Sequence, residues 1–281
     1  MRFAQEILFP IDFSPSSMAL GPAVAAVAHR LQAHVTLLTS LPLLDNGEDM
    51  AAAQQQAAEK LTSFGQDVFG GLPIRLQIAN GPAAASIVEQ AALMSAPMIM
   101  MPTRGESGFR SLLLGSVTAV VLHDAECPVW TSAHCEDGGP LPVEYKSVVC
   151  AIDLGANTPA VLRRAAAFAA EFGAALHVVH SVPGINPTFE SATANRAHRF
   201  LVTTAQDAYQ EIVRLAAVDV ELPPLEIVEQ VGLAEGIVAA TTRHRAELLV
   251  IGRGVMQGVL GRLRTNAHEL IRKSACPVLS V

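Results

Sequence analysis

The chain repeats itself once, and this repeat restricts its fold more than any other feature of its 281 residues. "EILFPIDFSPSSMALGPAVAAVAHRLQAHVTLLTSLP" (6–42) is matched by "SVVCAIDLGANTPAVLRRAAAFAAEFGAALHVVHSVP" (147–183). Each reads as a strand closed by an aspartate, a turn, a long Ala-rich helix and a second strand. Later, "APMIMMPTRG" pairs with "AELLVIGRG", and "ECPVW" with "ACPVL". Each half is close to the common domain size of about 100–150 residues, so two domains are expected. The stretch "SAHCEDGGPLP" (132–142) has Gly-Gly, two prolines and acids but no periodicity. The expected organisation is domain one at 1–133, a linker at 134–142 and domain two at 143–281.

Within the first half, apolar runs bounded by Gly, Pro or Asn predict strands near 6–12, 34–41, 73–79, 97–102 and 128–131. The 3.6-residue pattern predicts helices near 15–31, 49–69, 82–95 and 116–125. Strict alternation of strand and helix implies right-handed crossovers and a parallel, doubly wound α/β sheet. Such sheets bind ligands beyond the carboxyl ends of their strands, where the strand order reverses.

Composition agrees. Half the chain, 51%, is apolar and only 16% is charged, so a large core can form and disorder is not expected. Aromatics are only 5%, leaving Ala, Val and Leu to fill buried parallel strands and the helices over them. The net charge of −7 argues against a nucleic-acid or membrane-surface partner. "AALMSAPMIMM" is interrupted by Pro97 and is shorter than a membrane span of about 18 residues. The first residues lack the pattern of a secretory signal. Four cysteines without C-x-x-C spacing read as buried or incidental thiols, and the expected location is the cytoplasm.

Two segments carry candidate chemistry. Asp12 and Asp153 end the first strand of each half. A carboxylate there can accept from a sugar, from an amine, or from the first amides of the next helix as a cap. In the second segment, "TRGESGFRSLLL" leaves the fourth strand before Gly115-Ser116-Val117-Thr118 opens a helix. Free amides and the macrodipole at a helix start favour an anion. Gly105 and Gly115 would let backbone approach a phosphate, and Arg104 and Arg110 could add charge-assisted bonds. A surface loop feeding a helix capped by Ser116 or Thr118 fits the spacing as well.

Other patterns are missing: no G-x-x-x-x-G-K-[ST] P-loop and no G-x-G-x-x-G after a strand. No catalytic grouping is visible in the spacing. His177 and His180 are three apart on a strand, facing opposite sides, so no shared metal is expected. The methionines of "MIMM" read as core, and "AAAQQQAAEKLTSFGQDVF" as a solvated helix.

Taken together, these residues resemble the universal stress protein family in its tandem two-domain form. Nucleotide-binding members carry G-x2-G-x9-G-[ST] after the fourth strand, and Pro102-x2-Gly105-x9-Gly115-Ser116 occupies that pattern here. "ILFPIDFS" and "VVCAIDLG" resemble the family's opening strand, and "LLTSL" and "VVHSV" its second. The resemblance implies two Rossmann-like domains, each a five-stranded parallel sheet of order 3-2-1-4-5 flanked by helices. It also implies an intrachain pseudo-dimer formed through the last strands.

For the first half, the resemblance places Pro10, Asp12, Ser40 and Met101 around adenine and ribose. Arg104, Gly105, Gly115, Ser116 and Val117 would then surround the phosphates. Pro102 departs from the pattern, since proline brings no N–H. In the second half, Gly252, Gly254 and Thr265 with Asp153 form a candidate second site, but Arg264 stands where the critical glycine should be. The implied function is a cytoplasmic stress-response sensor or regulator binding ATP, or ADP or AMP, with Mg. Expected partners are the nucleotide and a homodimer mate or another protein. The rivals are an interaction module with vestigial pockets and, at most, a weak ATP hydrolase.

Overall fold

The computed structural model describes residues 3–43, 47–95, 97–103, 114–132, 141–183, 192–217, 221–230, 232–253 and 265–281. Contacts divide the chain into a first unit, Arg2–Glu144, and a second, Tyr145–Val281. The first runs β1 (Glu6–Pro10), α1 (Pro15–Leu31), β2 (His34–Leu41), α2 (Gly47–Phe69), β3 (Ile74–Asn80), α3 (Ala83–Leu93), β4 (Pro97–Pro102), α4 (Ser116–Asp124) and β5 (Val129–Ser132). The second runs β6 (Ser147–Ala151), α5 (Thr158–Phe172), β7 (Ala175–Pro183), α6 (Ala192–Ala216), β8 (Leu225–Gln230), α7 (Leu233–Arg243), β9 (Leu248–Ile251), α8 (Thr265–Lys273) and β10 (Val278–Ser280).

Each unit holds five strands in the order third, second, first, fourth, fifth, with every recorded pairing inside a unit parallel. The central strands are continuous apolar runs because helices cover both faces. All six residues of β4 are buried, whereas β3 is only partly covered. Met98 and Met100 are fully buried core residues.

The scarce aromatics are concentrated under the helices. Phe9, Phe64 and Phe69 cluster at centroid distances of 5.9–6.3 Å in the first unit. Tyr145, Phe168 and Phe172 cluster at 4.5–5.1 Å in the second. Helix α2 is therefore more than a solvated helix: Ala57, Leu61 and Phe64 recur at helical spacing and are buried. Gly21 explains how α1 sits so close to it, because a Cβ there would meet Phe64 Cζ at 2.7 Å.

Among the described residues no helix is long and apolar enough to cross a membrane. Among the described residues Cys127, Cys150 and Cys276 form no disulfide, and burial pushes the Cys150 thiol up to about 12.

Candidate functional site

At the carboxyl edge of the first unit, β1 and β4 separate and leave a cavity of about 260 Å³. Pro10, Asp12, Ser40, Met101, Gly115, Ser116 and Val117 all line it, drawn together from both ends of the unit. Arg104 and Gly105 lie outside the described residues, as does Arg110. Ser17, Ile87 and Thr118 also line the cavity; the sequence placed none of them in a site, and Thr118 only as a possible helix cap. Ser17 and Ile87 are reachable from sequence only through the first turn of α1 and the buried face of α3.

Asp12 is not the helix cap. Ser14 caps α1, its hydroxyl accepting from the Ser17 amide at 3.3 Å. Asp12 Oδ1 instead accepts from the Ser14 amide at 3.0 Å and from the Ser14 and Ser17 hydroxyls at 2.6 and 2.7 Å. These bonds fix an exposed carboxylate in place. The next residue, Phe13, has φ 60, a conformation uncommon outside glycine. Leu154, after Asp153, has φ 57. The same unfavourable turn follows the aspartate in both units, and such strain collects at ligand sites.

Helix α4 opens at Gly115, whose φ of −60 and ψ of 145 any residue can adopt. What glycine contributes there is a bare cavity wall. No side chain caps the helix. Thr118 turns the other way and donates to the Pro102 carbonyl at 3.1 Å, so neither Ser116 nor Thr118 is the cap. First-turn amides without a side-chain acceptor are suited to an anion. The Ser40 hydroxyl donates to the Gly81 carbonyl at 2.9 Å and lies 3.3 Å from the Ser86 hydroxyl.

The second unit has a matching cavity of about 230 Å³, lined by Asp153 and Gly252 among others. Asp153 Oδ1 accepts from the Gly155 amide at 2.9 Å and the Thr158 hydroxyl at 3.2 Å. Gly254, Arg262 and Arg264 lie outside the described residues; Thr265 starts α8, but its side chain is among those left undescribed. Arg253 is 3% exposed and does not line this cavity. The structure adds His180 to the wall, where its Nδ1–H donates to the Ile152 carbonyl at 2.9 Å. A carbonyl can only accept, so Nδ1 carries the proton in this bond. The sequence signal was its place beside Ser181, the counterpart of Ser40. His177 lies elsewhere, stacked on His244 at 3.8 Å. Among the described residues no group of three or more His, Cys, Asp or Glu is placed to hold a metal ion.

A family model described as the Universal stress protein family matches residues 4–132 and again 144–281. Universal stress protein MJ0531 of Methanocaldococcus jannaschii is 36% identical over 75 residues, covering 27% of this chain and 43% of that protein. Universal stress protein Rv2005c of Mycobacterium tuberculosis is 33% identical over 87 residues, 30% of this chain and 28% of the relative. The matches thus span less than half the length of these relatives. Among solved structures, a universal stress protein from Archaeoglobus fulgidus superposes with a TM-score of 0.70 at 21% identity, covering 99% of this chain and 96% of the other. A Pseudomonas aeruginosa structure gives 0.64 at 18%, with 99% and 93% covered. At those identities the structures speak for the fold alone. Two successive matches to the family model account between them for nearly the whole chain, and the chain belongs to the universal stress protein family in its tandem two-domain form.

Proposed function

We propose that the first unit binds an adenine nucleotide, ATP or its ADP or AMP relatives, and that the protein works as a nucleotide-responsive sensor or regulator in a cytoplasmic stress response. The observation that carries this reading is the uncapped start of α4 at Gly115 in the wall that also holds Asp12 and Ser40. A phosphate can take the helix amides while the sugar donates to a carboxylate locked in place. Ile11, Leu38, Ile87 and Met101 give the wall an apolar part, which suits a flat base. If ATP enters with Mg²⁺, Asp12 is the carboxylate in the wall that can face the ion.

Equilibrium dialysis of the full chain against ATP, ADP and AMP tests this, together with the nucleotide content of the protein as purified. Saturable binding of one nucleotide per chain is expected. No binding at millimolar concentration, combined with partner capture insensitive to nucleotide, would instead favour an interaction module.

A further inference from the structure

The carboxyl edges of the two units differ in how far their central strands stay paired. In the first, the Ile11 amide donates to the Leu38 carbonyl and the Thr103 amide to the Ser132 carbonyl. Strand residues alternate in the side to which their amide and carbonyl point. Pro10 on β1 and Pro102 on β4 therefore turn their backbone groups toward each other, across the gap between the two strands. The next rungs would run from residue 10 to the Met100 carbonyl and from residue 102 to the Pro10 carbonyl. Proline has no N–H, so both rungs are missing. The recorded β1–β4 pairs accordingly stop at Leu8↔Ile99.

The second unit serves as a control. Ala151 and Gly252 stand at the corresponding places, each with an N–H, and the β6–β9 pairing continues to Ala151↔Ile251. Pro102 thus withholds a donor from the sheet, and the consequence is that the Pro10 carbonyl is left without its ladder partner at the cavity. Pro10 lines that cavity, whereas Met100, whose carbonyl loses its rung to Pro10, is fully buried and does not line it. A buried carbonyl without a donor is unfavourable and gains when a ligand supplies one.

We infer that Pro102, by withholding its N–H, makes the Pro10 carbonyl a specificity-determining acceptor of the first cavity, for an N–H or O–H donor on the bound nucleotide. This rests on the nucleotide reading above and deepens it. The donor is either the exocyclic amine of the base or a ribose hydroxyl. The sign of the effect opposes what the glycine motif alone suggests: placing an N–H at residue 102 closes the rung and competes with the ligand.

The test uses full-length Pro102→Ala and Pro102→Gly, two variants that restore the N–H with and without added backbone freedom. Both are expected to weaken ATP roughly ten-fold, the loss of about one hydrogen bond. Their new amide at 102 should exchange slowly with solvent deuterium. In the parent protein, purine riboside triphosphate, which lacks the amine, or a 2′- or 3′-deoxy ATP should bind roughly ten-fold more weakly than ATP. The analogue affected identifies the donor, and that preference should vanish in both variants. Unchanged or tighter ATP binding by the variants, or an unprotected amide at 102, overturns the inference. If the parent binds no nucleotide, the nucleotide reading fails, while amide exchange at 102 still reports whether the Pro10 carbonyl was open to a donor.

Discussion

The two units place an aspartate, a strained residue after it and a cavity at the same carboxyl edge, but they finish that edge differently. In the first unit two prolines hold β1 and β4 apart, and Gly115 leaves the start of α4 bare. In the second, Ala151 and Gly252 continue the pairing and His180 brings an imidazole into the wall. A Cβ at Gly252 would meet Val161 Cγ2 at 3.0 Å, so this cavity is tighter where the first has a proline ring. An internal repeat preserves the sheet while single residues at the strand ends decide what each cavity can hold. Sheet geometry depends on many apolar contacts, and a cavity wall depends on a few atoms.

The sharpest way to break the contrast is Gly115→Arg, which gives the first unit the residue found at 264 in the second. Nucleotide affinity should fall on the order of a hundred-fold or more, with circular dichroism unchanged, because a long side chain then fills the bare wall. Parent-like binding in dialysis would show that the glycine is not what separates the two cavities.

Core truncation comes next and should treat the units alike. Phe64→Ala and Phe168→Ala each remove a buried ring from an aromatic trio, at a cost of about 3–5 kcal/mol in urea denaturation. A large difference between them would mean that one core repacks around the void and the other does not.

The helix starts provide a finer comparison. Ser14 makes a side-chain cap bond and Asn157 makes none. Ser14→Ala should therefore cost about 1 kcal/mol, and Asn157→Ala less than about 0.5 kcal/mol. Equal losses would show that Asn157 supports the helix in a way the hydrogen bonds do not reveal.

The smallest expected effect is on acid stability. His177 lies below its ordinary value of 6.5, chiefly through burial and then through His244, with Glu226 opposing. A histidine with a depressed folded pKa binds fewer protons folded than unfolded, so acid favours unfolding. Its contribution is complete above about 6.5 and is lost as pH falls through the lower folded value. Burial depresses His268 on α8 as well, so its contribution fades in the same direction. His177→Thr, which copies Thr36 of the first unit, should flatten the loss of stability below pH 6.5 in urea titrations. An unchanged slope would assign the acid response to other groups.

Much of the first unit's architecture was legible from the chain. Strands expected near 34–41 and 97–102 match His34–Leu41 and Pro97–Pro102, because buried parallel strands leave apolar runs with sharp ends. Helix α2 was legible as a helix but not in its packing, since the spacing of Ala57, Leu61 and Phe64 is diluted by glutamines and exposed alanines. Asp12 and Ser40 were legible as strand-end residues, and their place in one cavity followed from the resemblance. The cap assignment was not legible: Asp12 read as a possible cap, and only the backbone geometry selects Ser14. Thr118 likewise looked like a cap until its hydroxyl was found on the Pro102 carbonyl.

By itself the sequence determined the repeat, the alternation of strand and helix, and the edge at which chemistry gathers. These follow from periodicity and residue volume, which are written along the chain. Only the tertiary structure decided that Pro10 and Pro102 face each other across the gap between β1 and β4. That depends on strand register, which is set by pairing between segments more than eighty residues apart, and no local pattern encodes it.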